Sequence, residues 1–238
     1  MILVPDIVYS PRQQLNAALE GLPDERREEI ESLVKPRGAV SRLAGLNGLF
    51  VRFHQIRVLD NHASVLGLDV GADVYPIIMV VSDATNDPVM FGEGSRVFND
   101  INDLDTLPIG NGLDVARTLA GKLPRFLQIH MLLMRSRQRT RDISGAIHSA
   151  LSSDTGKGLQ STINTAVNAA NPVAGVIASA ASSILALVTD ALSQAKDIQI
   201  FYGVTCFEDN PDELGIGQRR QLTDSKNASV IYEVVGQR

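Results

Sequence analysis

Five segments of the chain alternate apolar and polar residues or form short apolar runs rich in Val, Ile, Phe and Tyr. Such segments are typical of β-strands. They span residues 49–59, 74–81, 125–134, 198–207 and 228–235, and two shorter candidates lie at 89–91 and 96–98. Turn signals such as Asn86-Asp87-Pro88 separate them without a strand-helix-strand rhythm. The pattern therefore predicts a mainly β protein built as an antiparallel β-sandwich.

The apolar spacing changes to a helical period between the strand candidates at 125–134 and 198–207. Three apolar stripes with steps of three or four residues lie there, within residues 143–151, 159–167 and 173–192. Asn171-Pro172 separates the last two stripes. We therefore predict an αα-hairpin inserted into the sandwich over about residues 143–196.

Two further helices are predicted before the first strand. Residues 11–20 follow a Ser10-Pro11 start, and residues 23–34 begin with Pro23-Asp24-Glu25 and end before Pro36. Their apolar faces are narrow, so they need the main body or another subunit to persist. The sequence thus predicts an N-terminal helical appendage over residues 1–45 and a sandwich domain over residues 46–238.

The composition excludes several classes of protein. With 44% hydrophobic and 21% charged residues the chain is globular, and its net charge of −5 disfavours nucleic-acid binding. A single cysteine, Cys206, rules out an intrachain disulfide framework. The first residues show no secretory signal, which favours a cytoplasmic or peripheral membrane location. Residues 158–189 carry no charge, but recurring Ser, Thr and Asn and Pro172 argue against a membrane span.

Acidic residues are concentrated in one part of the chain. Residues 58–116 carry ten acids and one basic residue, Arg96. Solvated loop carboxylates are one interpretation of this bias. The other is a calcium site, because Ca²⁺ binds about six to eight oxygens that converging loops supply. Residues 69–73 and 100–105 have this chemistry, although neither has the EF-hand spacing.

Basic residues dominate the next part of the chain. Between Asp114 and Asp142 there is no acid, and four arginines alternate near the end of this stretch, namely Arg135, Arg137, Arg139 and Arg141. On a continued strand they would project from one face, and in a loop they would form a rim. Guanidinium groups bind phosphate and carboxylate through paired N–H donors. The arginines therefore predict an anion-binding site, with pairing to the acidic loops of the same fold as the alternative.

Two segments resemble the calcium loops of C2 domains. Residues 66–75, with Asp69 and Asp73, resemble the first loop, although the two acids are closer by two residues than is usual. Residues 133–143 resemble the later loop in which a strand ends in Asp-x-Asp and Asp-Ile-Gly follows, but Arg135 and Arg137 replace the two aspartates. Three residues still match the calcium ligands, namely Asp69, Asp73 and Asp142. The resemblance covers roughly residues 48–145 and 197–235 and implies a calcium-independent C2-like sandwich that docks on membranes or on proteins.

No catalytic motif emerges from the sequence. The four histidines and Cys206 form no recognised constellation, and nucleophile-elbow, zinc-helix and phosphate-loop patterns are lacking. We therefore predict a non-catalytic, cofactor-free docking module whose loop arginines contact an anionic membrane surface or an acidic protein partner. One alternative is a structural subunit of a larger homo- or hetero-oligomeric assembly. Another is a membrane-inserting protein of the pore-forming type that uses the Ala/Ser-rich helical hairpin.

Overall fold

The computed structural model describes most of the chain from residue 43 onward. The described ranges are residues 43–65, 68–84, 89–91, 96–117, 123–137, 143–168, 174–193, 197–208, 213–224 and 226–238. The helices predicted at 11–20 and 23–34 lie outside these ranges. The division into an appendage and a sandwich domain therefore stays a prediction.

The β-strands form two antiparallel sheets and a small hairpin. In chain order the strands are β1 (Gly48–Val58), β2 (Ser64–Val65), β3 (Leu68–Asp69), β4 (Ala72–Ser82), β5 (Val89–Phe91), β6 (Phe98–Ile101), β7 (Leu113–Arg117), β8 (Phe126–Ser136), β9 (Ile198–Glu208), β10 (Arg219–Asp224) and β11 (Ala228–Gln237). Sheet 1 has the order β10-β11-β1-β7. Sheet 2 has the order β5-β4-β8-β9, with β6 also paired to β4, while β2 and β3 pair with each other.

Three helices lie between β8 and β9. They are α1 (Ile143–Ser152), α2 (Asp154–Val167) and α3 (Ala174–Ser193). Each coincides with one predicted apolar stripe, so this part of the chain contains three helices where a two-helix hairpin was expected. Ser153 caps α2, because its side chain accepts a hydrogen bond from the Gly156 amide at 3.1 Å. Within the described ranges, none of the helices combines the length and apolar character that a membrane span requires.

The described part of the chain has two apolar cores, one on each face of sheet 2. The first lies between the two sheets, and the second lies between sheet 2 and the three helices. In β8, alternate residues such as Ile129 and Met131 join the first core, whereas Leu132 and Met134 join the second. Every residue of β8 is buried as a result. This two-sided coverage explains why the β8 sequence is a continuous apolar run instead of a simple alternation.

Strand β1 keeps its apolar side chains in the first core by means of a bulge. Phe53 and Ile56 are both fully buried although they are three residues apart, which a regular strand with period two does not allow. The pairing of β1 with β11 shifts register between Phe53 and Gln55. His54 is the extra residue at this bulge, and it turns the side chain of Ile56 back toward the first core.

The structure confirms the five long strand candidates, with ends shifted by no more than two residues. The short candidate at 89–91 is β5, and the one at 96–98 begins two residues later, as β6. The two-residue strands β2 and β3 were not predicted, and neither were β7 and β10. Strands β7 and β10 are short, and the segments Leu113–Arg117 and Arg219–Asp224 contain charged residues at several positions. They lie at the edges of sheet 1, where burial imposes less of an apolar pattern.

Candidate functional site

Several loops converge at one end of the sandwich. This loop end comprises residues 59–65, 68–73, 99–107, 135–137, 197 and 226–227. Strand pairing places Asp73 opposite Ser136, and Arg135 opposite Ile198 at the start of β9. Backbone hydrogen bonds then join the end of β1 to the other loops, from Leu59 N to Asn227 O and from Val58 N to Asp105 O. The loops that carry Asp69, Asp73 and Arg135 therefore meet at the same end of the fold.

Asn61 holds these loops together. It is fully buried, and its amide nitrogen donates to the carbonyl oxygens of Val70 and Ile101, both at 2.8 Å. Its amide oxygen accepts from Ala63 N at 2.6 Å, and its backbone N–H donates to Asp103 Oδ1 at 2.8 Å. One side chain thus satisfies backbone groups from three loop segments. Buried polar groups that are fully bonded in this way make a loop cluster rigid.

Arg135 lies beneath Asn61 and not on the surface. The residue is only 8% exposed, and its Nη1 atom donates to the Asn61 carbonyl at 3.5 Å. Burial lowers the pKa of the Arg135 guanidinium, the neighbouring charge of Arg137 lowers it further, and Asp60 opposes both effects. Since arginine remains protonated in proteins, a positive charge is held inside the loop end.

Arg137 has the opposite environment. Strand β8 ends at Ser136, and Arg137 follows it with an exposed side chain. Its backbone N–H donates to Asp197 Oδ1 at 3.1 Å. Asp197 is buried, and its other oxygen accepts from the Tyr75 hydroxyl at 2.7 Å. The backbone of Arg137 is therefore anchored while its guanidinium reaches solvent.

The other two predicted arginines, Arg139 and Arg141, lie outside the described residues. Projection of all four from one face requires a continued strand, and β8 ends at Ser136. The alternative, a rim of arginines in a loop, stays a prediction. Of the two arginines that the structure describes, Arg135 is buried and Arg137 is exposed.

Several loop-end carboxylates form turns. Asp60 Oδ1 accepts a hydrogen bond from the backbone N–H of His62 at 2.7 Å. The same oxygen lies 3.1 Å from the ring nitrogen His62 Nδ1. Asp105 Oδ2 accepts from the Asn102 N–H at 2.8 Å, and Asp103 accepts from Asn61 as described above. These contacts fit the usual role of Asp in stabilising loops that turn sharply. Much of the acidic bias between residues 58 and 116 thus has a structural use.

The three predicted calcium ligands are placed unequally. Asp73 is half-buried at the start of β4, and Asp69 belongs to β3. Asp142 lies outside the described residues. Within the described part of the chain, no group of three or more His, Cys, Asp or Glu residues is positioned to hold a metal ion.

The four histidines lie in four separate places. His54 Nε2 is 2.9 Å from Glu233 Oε2 across two strands of sheet 1, and His62 belongs to the loop end. His148 is exposed on α1, within 3.5 Å of the Ser152 hydroxyl. His130 is fully buried in β8, and burial lowers its pKa to about 3. The described histidines are therefore not gathered into one catalytic constellation.

Two residues important to the loop end were not singled out from the sequence. Asn61 has no distinguishing local signal, since a single Asn before a histidine is common in loops. Asp197 stands directly before an apolar strand, which is a hint of a structural carboxylate but does not reveal Tyr75 as its partner, 122 residues away. Both roles arise from contacts between distant parts of the chain.

In comparisons with known proteins, no family model, no curated protein and no solved structure matches the chain.

Proposed function

We propose that the protein is a non-catalytic docking module, C2-like in its sandwich and loop plan, whose loop end binds an anionic lipid surface. The observation that carries this proposal is the exposed Arg137 on a backbone anchored by the buried Asp197. A rigid scaffold that presents a charged loop residue is the usual construction of a binding site. Two more arginines, Arg139 and Arg141, follow within four residues.

The distribution of charge at the loop end supports an anionic ligand. The carboxylates of Asp60, Asp103 and Asp105 accept hydrogen bonds from loop backbone groups, so part of their charge is compensated locally. The Arg137 side chain faces solvent. A guanidinium binds phosphate through paired N–H donors, and basic side chains near an anionic leaflet each contribute about 1 kcal/mol of attraction.

Leu104 favours a lipid surface over an acidic protein. It is 60% exposed, whereas most large apolar residues of the described chain are buried. The exposed Arg57 donates from Nε to the backbone carbonyl oxygen of Leu104 at 3.0 Å, so a cationic residue and an exposed apolar residue are neighbours at the loop end. This combination suits a bilayer interface, where charged head groups lie over hydrocarbon.

Vesicle flotation tests this proposal. The wild-type protein is expected to float with vesicles of phosphatidylcholine mixed with phosphatidylserine and to stay behind with phosphatidylcholine alone. Added salt is expected to weaken the binding, because it screens charges at an exposed interface. The triple variant Arg137→Glu, Arg139→Glu, Arg141→Glu is expected to lose flotation.

A matched triple variant controls for net charge. Lys157→Glu, Arg219→Glu and Arg238→Glu make the same change at exposed positions that are not part of the loop end, so this variant should keep more binding than the loop variant. Equal flotation of the two variants would refute the role of the arginines. If the wild type ignores anionic vesicles but is retained on immobilised polyglutamate through these arginines, the partner is an acidic protein.

The C2-like part of the proposal has a separate test. It rests on residues 66–75 and 133–143, where Arg135 and Arg137 replace two calcium ligands of the C2 pattern. We therefore expect flotation to be equal in excess calcium and in excess chelator. A requirement for calcium would contradict a calcium-independent module and would direct attention to Asp69, Asp73 and Asp142.

A further inference from the structure

Two polar side chains of β8 lie buried under the helices. Gln128 and His130 are two residues apart, so they point to the same side of sheet 2, and they are 2% and 0% exposed. Gln128 Oε1 and His130 Nε2 have no hydrogen-bond partner within the described structure. Buried polar atoms nearly always have a partner, so two such atoms on residues that share one face of β8 indicate a bound group.

The known contact of His130 fixes the direction of its other nitrogen. His130 Nδ1 lies 2.9 Å from the Tyr202 hydroxyl, and Tyr202 pairs with Leu132 on the neighbouring strand. The hydroxyl therefore approaches the imidazole from the Leu132 side. Because the two ring nitrogens point in nearly opposite directions, Nε2 is turned toward the other side, where Gln128 lies.

The surroundings determine the chemical class of the bound group. Met79 and Val204 flank His130 in the sheet, Val81 flanks Gln128, and the helices add an apolar cluster above them. Of the described titratable groups, Tyr202 contacts His130 and Cys206 lies opposite Gln128 on β9. Among the described residues, no group of three or more His, Cys, Asp or Glu side chains is placed here to hold a metal ion, so a small neutral group fits the site best.

We propose that an ordered water molecule is bound between β8 and the helix layer, where it bridges His130 Nε2 and Gln128 Oε1. Water suits both tautomers of a neutral imidazole, since it accepts from a protonated Nε2 and donates to a bare one. In either case it also donates to Gln128 Oε1. Buried waters commonly make about three hydrogen bonds of this kind.

The water would complete a polar line from α3 to the middle of sheet 2. The Ser182 hydroxyl on α3 lies 3.3 Å from the Tyr202 hydroxyl, which contacts His130 in turn. The apolar cluster that packs α3 on the sheet is non-directional, so it does not by itself fix how α3 is positioned along the sheet. A continuous line of hydrogen bonds supplies that specificity.

A crystal structure of the full chain, at a resolution that reveals ordered solvent, is the direct test. We expect one water peak within hydrogen-bond distance of both atoms. The peak should be lost in Gln128→Leu and kept in Gln221→Leu, which makes the same change at an exposed position of β10. In solution, a water-to-imidazole nuclear Overhauser effect at His130 should follow the same pattern.

Three results would overturn the proposal. They are a direct His130–Gln128 hydrogen bond, a side chain from residues 138–142, 169–173 or 194–196 between the two atoms, and solvent-free density there. If Gln128→Leu does not fold, the wild-type crystal structure and its Overhauser spectrum still decide among these outcomes.

Discussion

Protonation of His130 should make the fold markedly less stable in mild acid. The imidazole is fully buried, and this burial lowers its pKa from 6.5 to about 3. An unfolded chain exposes the same imidazole to water, where its pKa is ordinary. Between the two pKa values the unfolded state binds more protons than the folded state. The free energy of unfolding therefore rises with pH across this window, and the stability is lost as the pH falls below about 6.5.

The size of the effect follows from the two pKa values. A shift of one pKa unit corresponds to about 1.4 kcal/mol. On going from about pH 7.5 to about pH 5, His130 alone should lower the free energy of unfolding by about 2 kcal/mol. Any folded-state pKa below about 4 gives the same loss over this range, so a contact of Nε2 with water leaves the expectation unchanged.

Urea unfolding followed by circular dichroism measures this loss. His130→Gln removes the titrating group, so the difference in stability between the two pH values should shrink by about 2 kcal/mol relative to the wild type. His148→Gln is the matched control, because that imidazole is exposed on α1 and should leave the pH dependence unchanged. Other titrating groups contribute equally to all three proteins and cancel in the comparison.

The reasoning would fail if His130→Gln kept the full pH dependence of the wild type. If that variant does not fold, an NMR titration of the wild type provides the decision. A folded-state pKa near 6.5 for His130 would show that the imidazole is not held in a dry site. No titration of His130 above about pH 5 would support the argument.

Three further changes test the loop end and the helix layer. Asn61→Ala should lower the free energy of unfolding by about 3 kcal/mol, because it leaves buried backbone groups without partners. The control Asn99→Ala, at an exposed position, should change the stability little, and equal effects of the two variants would contradict the central role of Asn61. Leu104→Gly should raise the melting temperature. Leu104 has a φ of 67°, a conformation that costs a residue with a side chain about 1–2 kcal/mol but that glycine adopts without this penalty. A lower melting temperature would refute this account of the loop. Ser153→Ala should cost about 1 kcal/mol in urea unfolding through loss of the α2 cap, and a neutral result would mean that solvent replaces the cap fully.

The strands and helices were largely predictable because their signals are local. Alternation with period two identified β1 and β11, and helical spacing identified α1, α2 and α3. Strands β7 and β10 were not predicted, because edge strands bury little of their surface and so show a weaker apolar pattern. The sequence also could not show what covers each face of sheet 2, since the apolar run of β8 indicates burial but does not identify the segments that pack on it.

The roles of the charged residues were decided by tertiary contacts. Arg135 and Arg137 look alike in the sequence. Arg135 belongs to β8 and lies below Asn61, whereas Arg137 follows the end of that strand. The position of that end determines which guanidinium is buried. Likewise, the acidic bias between residues 58 and 116 was plain from the sequence, while the use of Asp60 and Asp103 in loop turns was not.

The amino-acid sequence by itself determined the types of element, their approximate limits and the segregation of charge, because backbone preference and apolar period act over a few residues. The tertiary structure alone decided which loops meet, that Asn61 joins them, and that His130 is linked to α3 through Tyr202. These features depend on contacts between segments many residues apart, such as Tyr75 with Asp197. Local sequence does not indicate such partners, because the free energy that selects them arises only when the sheets and helices pack together.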